Sequence, residues 1–243
     1  MSVSNWKAAY SKGSALTLLT AYDAQFARFI EECEIDGILV GDSLRHTFFG
    51  DTSTVKTTLS DMIYHTQAVI NATSKTLVIT DMPFMTYSIS IEDSLKNATK
   101  LIQEGGAHAV KCEVRESHLP TIDRFVKEGI QTMAHIGLQP QYINESGGYT
   151  LQGTSTDAQK QMISLAKSLS DIGVFAIVLE KVPIELSKTI HLSAILAILL
   201  FIGLFFAGGD WSFDTLFWSW LFRYFHVLAG IMWIGLLWYL NFV

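Results

Sequence analysis

The residues of this chain that could do chemistry lie where short apolar runs end. Each run is long enough for one buried strand, and a strand buried on both faces belongs to a parallel sheet. The carboxyl edge of such a sheet is where α/β proteins place their functional sites. The polar groups that end the runs are Asp42, Ser43, Asp81, Lys111, Glu113, His135 and Glu180. Acidic and imidazole side chains brought repeatedly to one edge predict a metal-assisted active site.

Three of these carboxylates predict a site for a divalent cation. Asp42, Asp81 and Glu113 are hard oxygen donors at three successive strand ends, and Mg²⁺ or a similar ion prefers such ligands. The alternative is that each carboxylate only caps the helix that follows its strand. The presence of Lys111 and Glu180 at the same edge favours the metal site over capping.

The remaining polar groups suit the removal of a proton next to a carbonyl. Lys111 could neutralise a substrate carboxylate, and Ser43 and His135 can donate hydrogen bonds. Glu180, on another strand, would be free to act as the base, and a metal ion would stabilise the resulting enolate.

These groups need elements that position them, and strand and helix signals alternate along residues 1–189. Capping patterns at Thr58 and Ser90 begin two predicted helices, and Gly173 follows the end of another. Six strand–helix pairs predict parallel βα units and, as their closed form, a (βα)8 TIM-type barrel. The region is too short for eight units, so we expect an incomplete barrel of about six. The polar segment 45–57 is expected to cover the site.

The composition changes after Thr189. Only three Asp, Glu, Lys or Arg residues follow it, and the segment 190–208, which contains none, is about long enough to cross a bilayer. A second apolar run reaches Val243. These features predict a barrel domain 1–189 and a tail 190–243 with two transmembrane helices. The alternative is a pair of buried helices that completes a soluble core.

Charge and cysteine patterns restrict the compartment and the partners. Lys181 and Lys188 lie ahead of the first predicted span, which places the barrel in the cytoplasm and the tail as an anchor in the inner membrane. A small acidic excess without a basic stripe excludes nucleic-acid binding. Cys33 and Cys112 lack metal-ligand spacing and are predicted to be reduced thiols in the core.

Seven motifs resemble those of ketopantoate hydroxymethyltransferases, and they follow the family's order from about residue 16 to residue 190. They are LTAYD (19–23), VGDSL (40–44), DMIYHT (61–66), DMPF (81–84), EGGAHAVK (104–111), HIGLQPQ (135–141) and VLE (178–180). The resemblance implies a complete (βα)8 barrel, usually a decamer, that acts early in pantothenate and coenzyme A synthesis. It also implies transfer of a one-carbon unit from 5,10-methylenetetrahydrofolate to 3-methyl-2-oxobutanoate, which gives 2-dehydropantoate.

By motif, the resemblance implies a role for each site residue. Asp42 and Asp81 would hold Mg²⁺ together with the chelating 2-oxo acid, and Glu113 would lie near the metal through a water. Glu180 would remove the proton from C3 of the substrate, which would then attack the methylene carbon of the folate. The groups that would contact the 2-oxo acid directly are Ser43, Lys111 and His135.

The chain also departs from the family. Arg45 and His46 stand where the family commonly has glycine, and we expect them to crowd or recharge the loop over the site. Val114 and Ala134 replace further common glycines. After about residue 190 the family's last two strands have no counterpart, which predicts unpaired edges at the first and sixth strands.

The tail carries a resemblance of its own. The segment 223–235 resembles the start of the membrane domain of cytochrome-c-linked urate oxidases, where His226 would be a haem ligand or, alternatively, an interfacial group. The whole chain is therefore interpreted as a truncated transferase joined to membrane-spanning sequence. Two rivals stay open: a phosphoenolpyruvate-mutase or lyase-like Mg²⁺ barrel, and a membrane-anchored remnant without activity.

Overall fold

The structure is a computed structural model, and it describes residues 2–190. The predictions that concern the chain from residue 191 onward, including two transmembrane helices and the role of His226, lie outside the described residues. Within residues 2–190, no helix combines the length and the apolarity that crossing a membrane requires.

The strands of the described region form one parallel sheet, in which neighbours in sequence are neighbours in space. They are β1 (Leu18–Thr20), β2 (Gly37–Val40), β3 (Leu77–Asp81), β4 (Ala109–Glu113), β5 (Thr132–Gly137) and β6 (Ala176–Glu180). The prediction of about six parallel βα units in a partial TIM-type barrel is thereby confirmed. The register sets Asp81 beside Lys111 and Glu113 beside His135.

Helices connect the strands, as parallel pairing requires. They are α1 (Val3–Ser11), α2 (Ala24–Glu32), α3 (Leu44–Phe49), α4 (Leu59–Ile70), α5 (Ile91–Gln103), α6 (Leu119–Lys127), α7 (Ile143–Ser146) and α8 (Thr156–Ile172), and residues 184–190 are also helical. The predicted capping box is present, because Thr58 and Asp61 each accept a hydrogen bond from the other's backbone N–H. Ser90 caps α5, and Gly173 ends α8 in the left-handed conformation.

The two faces of the sheet bury different groups, because side chains alternate along a strand. The outer face packs against the helices through Ile38, Val40, Val78, Val110, Ala134 and Ile136. The inner face is covered at its amino end by α1, whose Trp6 clusters with Leu77 and Ile79. Asp81 follows Ile79 by two residues, so it lies on the same inner face, one layer nearer the carboxyl edge.

The sequence predicts no helix before β1, but α1 forms there. Ser2 begins it by accepting a hydrogen bond from the backbone N–H of Asn5. Only Val3 and Trp6 are buried in this helix, so its apolar periodicity is too weak to stand out in the sequence. The Trp6 ring meets Phe175 edge-on, with the ring centroids 5.7 Å apart.

Three further details differ from the sequence-based expectations. The segment 45–57, expected to be a polar loop, begins within α3. β4 and β5 continue through Lys111 and His135 instead of ending before them, because both residues still pair with the neighbouring strands of the ladder. Cys33 is exposed at the end of α2, so the prediction of two buried thiols is right only for Cys112.

In the region that the structure describes, β1 and β6 are the edge strands of the sheet. Every residue of β3 and β4 is buried, whereas β6 is half-buried along its length and two of the three β1 residues are exposed. The described edges thus match the expectation of unpaired first and sixth strands. Glu180, at the end of β6, therefore stands beside an open side of the site.

Candidate active site

Asp42, Asp81 and Lys111 form a buried cluster at the carboxyl edge of the sheet. The Lys111 ammonium donates to one carboxylate oxygen of Asp81, and the other oxygen accepts a hydrogen bond from the backbone N–H of Asp42 at 3.1 Å. None of the three residues is more than 6% exposed. Gly41 permits this approach, because a Cβ there would come within 2.7 Å of the Ser43 hydroxyl and 3.5 Å of the Asp81 carboxylate.

Glu113 joins this cluster through Gln141. The backbone N–H of Gln141 donates to Glu113 Oε2 at 3.0 Å, and its side-chain Nε2 donates to Asp42 Oδ2 at 2.8 Å and to the carbonyl oxygen of Met82 at 2.9 Å. The Tyr87 hydroxyl can donate to Gln141 Oε1 at 2.8 Å or to the backbone carbonyl oxygen of Glu113 at 3.1 Å. The structure therefore brings the carboxylates from the ends of β2 and β4 to one buried glutamine.

His135 lies between two carboxylates on the inner face. Its Nδ1 is 3.7 Å from Glu113 Oε1, and its Nε2 is 3.3 Å from Glu180 Oε2. Both ring nitrogens are buried, and neither has a partner within the described residues at hydrogen-bond geometry. Glu180 is the most open group of the set, with 40% of its side chain exposed. His135 is thus a buried polar group available to a bound molecule.

Burial dominates the electrostatics of the carboxyl groups. It raises the pKa of Asp42 to about 7, with the neighbouring Asp81 carboxylate adding to the rise and Lys111 and Gln141 opposing it. Burial also raises the pKa of Glu113 to about 9, again against the influence of Lys111. These two groups are reluctant to carry negative charge in the protein alone.

The pKa values of the two basic groups of the site, Lys111 and His135, shift in opposite directions. Burial acts to lower the pKa of Lys111, but the carboxylates of Asp81, Asp42 and Glu113 raise it well above its ordinary value, so the ammonium stays charged. Burial lowers the pKa of His135, although the nearby Glu180 carboxylate acts against this change. The imidazole is accordingly neutral at pH 7 and can either donate or accept a hydrogen bond.

The charges of the site fit a divalent cation. Three buried carboxyl groups, Asp42, Asp81 and Glu113, face the single ammonium of Lys111, so full ionisation would leave an excess of negative charge in a dry environment. Among residues 2–190, no three His, Cys, Asp or Glu side chains surround one point as ligands. Mg²⁺ needs only one or two carboxylates, because it usually keeps several waters. The adjacent pair Asp42 and Asp81 meets that requirement.

Ser43 and the loop after it line the opening of the site. The Ser43 hydroxyl lies 2.8 Å from the Tyr22 hydroxyl. His46 approaches the carbonyl oxygen of Asp51 through Nδ1 at 2.6 Å, and its Nε2 lies 3.5 Å from the Tyr149 hydroxyl. Burial and the nearby carboxylates, Glu180 first among them, raise the pKa of Tyr149.

The positions where glycine was expected are accommodated locally. Arg45 lies 3.4 Å from the Asp51 carboxylate, and its guanidinium packs over the Phe49 ring at 4.2 Å. Its positive charge is therefore compensated within the segment 45–57. Val114 and Ala134 are buried in the core under the helices, away from the inner face.

The sequence predicts no role for Gln141 or Tyr87, although both are central to the site. An amide and a phenol carry no charge, and their positions depend on turns after β5 and β3 that periodicity does not determine. The only sequence signal is that Gln141 ends the HIGLQPQ motif.

An open cavity of about 510 Å³ lies away from this site, at the amino edge between α2 and the segment 74–76. There the Glu31 carboxylate accepts hydrogen bonds from the backbone N–H groups of Ser74, Lys75 and Thr76. Burial acts to raise the pKa of Glu31, but these bonds lower it to about 2. The Glu31 carboxylate therefore stabilises the backbone segment that leads into β3.

Comparison with known proteins places this chain in a family. A family model described as ketopantoate hydroxymethyltransferase matches residues 1–203. Similar curated proteins include the 3-methyl-2-oxobutanoate hydroxymethyltransferases of Clostridioides difficile (strain 630), 43% identical, and Clostridium botulinum (strain Loch Maree / Type A3), 46% identical, each over 188 residues. Each alignment covers 77% of this chain and 68% of the relative. For a relative from Bacillus cereus (strain AH820), 44% identical, these shares are 74% and 64%.

Solved structures support the fold independently. A 2,3-dimethylmalate lyase of the PEP mutase/isocitrate lyase superfamily superposes with a TM-score of 0.58 at 13% identity, covering 79% of this chain and 66% of that chain. A phosphonopyruvate hydrolase in complex with oxalate and Mg²⁺ superposes with a TM-score of 0.56 at 14% identity, covering 74% and 64%. At such identities the likeness concerns the fold alone.

Proposed function

The chain belongs to the ketopantoate hydroxymethyltransferase family, and from that premise we propose that it transfers a one-carbon unit from 5,10-methylenetetrahydrofolate to 3-methyl-2-oxobutanoate. The product would be 2-dehydropantoate, on the route to pantothenate. The matched region spans about two thirds of the length of the relatives, so the activity of the chain itself is part of the proposal.

The observation that carries the proposal is the convergence of charged groups on the inner face. Asp81, Lys111, Glu113 and His135 are neighbours in the strand register, and Asp42 reaches the same point from the turn after β2. Hard oxygen donors beside a permanently charged ammonium suit a small 2-oxo acid that binds with a divalent cation.

Asp42 and Asp81 would hold the cation, with Glu113 nearby. When bound, a cation such as Mg²⁺ would stabilise the negative charge that develops on the oxo oxygen of the substrate. The raised pKa values of Asp42 and Glu113 support this assignment, because they reflect the cost of ionising buried carboxyl groups, which a divalent ion would compensate.

The substrate would be held by groups that the chain supplies directly. The Lys111 ammonium would pair with the carboxylate of the 2-oxo acid, and the Ser43 hydroxyl would donate a hydrogen bond to it. His135 would contact the substrate, which its two unpartnered ring nitrogens within the described site support. Lys111 and His135 are buried, which excludes water from them and strengthens their interactions.

Glu180 would act as the base. Its carboxylate ends β6, is 40% exposed, and lies beside His135, so it can reach a substrate that occupies the inner face. It would take the proton from C3 of 3-methyl-2-oxobutanoate, and the electron pair of that C–H bond would form the new bond to the methylene carbon of the folate as one of the two C–N bonds of that carbon breaks. Water would displace the second nitrogen, which leaves a hydroxymethyl group on C3. The proton taken by Glu180 and one proton of the water would restore the two N–H groups of tetrahydrofolate.

The rival interpretation as a phosphoenolpyruvate-mutase or lyase-like enzyme draws on the superposed structures. Their identities of 13% and 14% support a shared fold, whereas the curated hydroxymethyltransferases reach 43–46% over the same domain. The transferase is therefore the better supported function.

The test is product formation by the full chain. Incubation with 3-methyl-2-oxobutanoate, 5,10-methylenetetrahydrofolate and Mg²⁺ should yield 2-dehydropantoate, and both EDTA and Glu180→Gln should abolish the yield. Turnover of a phosphonopyruvate or a dimethylmalate instead would favour the rival enzyme. A folded chain that converts none of these compounds would favour a remnant without activity.

The predicted homo-oligomer and the predicted membrane anchor 190–243 stay predictions. Alkaline extraction of membranes tests the anchor, because a chain recovered in the soluble fraction would have no true span. Size-exclusion chromatography with light scattering tests the assembly.

A further inference from the structure

Gln141 is a buried polar residue to which the proposed reaction assigns no part. It lies in the 3-10 turn Pro140–Tyr142 after β5 and is only 3% exposed. Its side chain offers two donors and one acceptor, and all are used. Nε2 donates to Asp42 Oδ2 at 2.8 Å and to Met82 O at 2.9 Å, while Oε1 accepts from Tyr87 at 2.8 Å.

The orientation of this amide follows from its partners. The Met82 carbonyl oxygen can only accept, so the group that faces it must be Nε2. A flipped amide would set Oε1 against both the Met82 carbonyl and the Asp42 carboxylate, which are two contacts between acceptors. The fully buried Tyr87 hydroxyl has one proton and two acceptors in reach, Gln141 Oε1 at 2.8 Å and the backbone carbonyl oxygen of Glu113 at 3.1 Å, and the shorter contact to Oε1 agrees with the same orientation.

Gln141 forms a hydrogen bond with one oxygen of each of two carboxylates. Its side-chain Nε2 donates to Asp42 Oδ2, and its backbone N–H donates to Glu113 Oε2 at 3.0 Å. Asp42 Oδ1 and Glu113 Oε1 are then the oxygens left to a cation or to a molecule beside His135. Groups behind a metal site that orient its ligands in this way typically change metal affinity by 10–100-fold.

We propose that Gln141, held by Tyr87, is a positioning residue that presents one oxygen of Asp42 to the divalent cation and directs one oxygen of Glu113 toward the space beside it. The proposal rests on the proposed function only in requiring that a cation binds beside Asp42 and Asp81. Gln141 touches neither cation nor substrate, so its effect passes through the carboxylates that it orients.

The test is the affinity of the full chain for Mn²⁺, measured by the electron paramagnetic resonance signal of the free ion. Gln141→Met has a side chain of similar length without an N–H, and it keeps the backbone N–H to Glu113. We expect its Mn²⁺ dissociation constant to rise by about 10–100-fold. Tyr87→Phe keeps the amide but releases its orientation, so we expect a smaller loss.

Gln139→Met is the matched control. Gln139 directly precedes the turn that contains Gln141. Its Nε2 donates to the backbone carbonyls of Val114 at 2.9 Å and His135 at 3.2 Å, and its Oε1 accepts from Arg115 Nε at 3.3 Å. Its replacement removes comparable hydrogen bonds without touching Asp42 or Glu113 through a side chain. Its Mn²⁺ affinity should stay within about twofold of the unchanged protein. Thermal unfolding of every variant identifies any that does not fold.

The double variant separates positioning from mere stabilisation. If Tyr87 acts through Gln141, combining Tyr87→Phe with Gln141→Met weakens Mn²⁺ binding no further than Gln141→Met alone. Equal affinities for Gln141→Met and Gln139→Met would overturn the inference and leave the proposed function intact. If Gln141→Met does not fold, unchanged Mn²⁺ affinity in Tyr87→Phe would overturn it. An unchanged protein that binds no Mn²⁺ would instead refute the proposed cation site itself.

Discussion

At the residue scale, the site is governed by an imbalance of charge. Asp42, Asp81 and Glu113 share one compensating ammonium, that of Lys111, in a region almost closed to solvent. Such a group of carboxyl side chains can become less negative by binding protons or by binding a cation. The choice between these two states should be visible in the stability of the protein.

Without a divalent cation, the protein should become less stable as the pH rises. The pKa of Asp42 is raised to about 7 and that of Glu113 to about 9, above the ordinary values of about 3.9 and 4.3 in an unfolded chain. The folded state therefore keeps protons that the unfolded state has lost, and the free energy of unfolding falls through that window. Urea unfolding in EDTA should show a loss of roughly 2–4 kcal/mol between about pH 6 and about pH 8.5.

Two controls accompany this measurement. Saturating Mg²⁺ should remove most of the loss, because the cation replaces the protons. Glu113→Gln should show a weaker dependence on pH, since an amide does not titrate there. Equal stability at both pH values in EDTA would mean that the carboxyl groups are not the buried, crowded acids described above.

The residues that carry charge could be predicted from the sequence, and those that orient them could not. Asp42, Asp81 and Glu113 can be recognised in the sequence, because a charged residue at the end of an apolar run is unusual. Gln141 and Tyr87 are uncharged, and they matter only because turns distant in the sequence bring them together. No pattern within a single segment contains that information.

At the scale of elements, the pairing of β5 with β6 sets the position of the proposed base. Gly137 ends β5 with a φ of +97°, directly beside Glu180 in the register. A Cβ at this position would overlap the backbone carbonyl oxygen of Glu180. The glycine is therefore required both for the backbone conformation and for the close approach of the two strands.

Gly137→Ala should move the end of β6 and weaken the fold. Overlap with backbone cannot be relieved by a side-chain rotation, so we expect a loss of about 3 kcal/mol in the free energy of unfolding. Proton removal by Glu180 should fall by more than about tenfold, because its carboxylate is displaced. Urea unfolding and the rate of the reaction measure the two effects.

Gly129→Ala is the control for backbone strain alone. Gly129 has a φ of +83° and no atom within 4 Å of the added Cβ, so its substitution should cost about 1–2 kcal/mol and leave the rate unchanged. Comparable losses of rate in both variants would contradict the role given to the β5–β6 approach.

The alternation of strands and helices was accessible from sequence because each element has its own apolar period. The helices α4 and α5 are further marked by their caps at Thr58 and Ser90. By contrast, the sequence does not predict α1, because its main apolar side chain, Trp6, packs on the inner face of the sheet instead of against other helices. Its role depends on tertiary contacts that local periodicity does not encode.

At the scale of the whole molecule, the described chain is a partial barrel with a polar end and an apolar end. The inner face carries the charged groups at its carboxyl edge and an apolar layer at its amino edge, where α1 closes it. Trp6 is the largest residue of that closure and is only 6% exposed. The sequence predicted the topology, whereas the closure by α1 appears only in three dimensions.

Trp6→Ala should destabilise the whole described domain. Removing this ring opens a cavity against Leu77 and Phe175, and we expect a loss of about 3 kcal/mol in the free energy of unfolding. Phe26→Ala, at a position 62% exposed, should change the stability by no more than about 0.5 kcal/mol. Denaturant unfolding compares the two; similar effects would show that α1 does not seal the inner face.

The most direct test of the account is the exchange of the C3 proton of 3-methyl-2-oxobutanoate with deuterium in heavy water, followed by nuclear magnetic resonance without any folate. We expect exchange by the full chain with Mg²⁺, none with EDTA, and none with Glu180→Gln. Exchange that persists in Glu180→Gln, or a folded protein that binds Mg²⁺ and the 2-oxo acid without exchange, would contradict the assignment of this buried carboxylate site to proton removal.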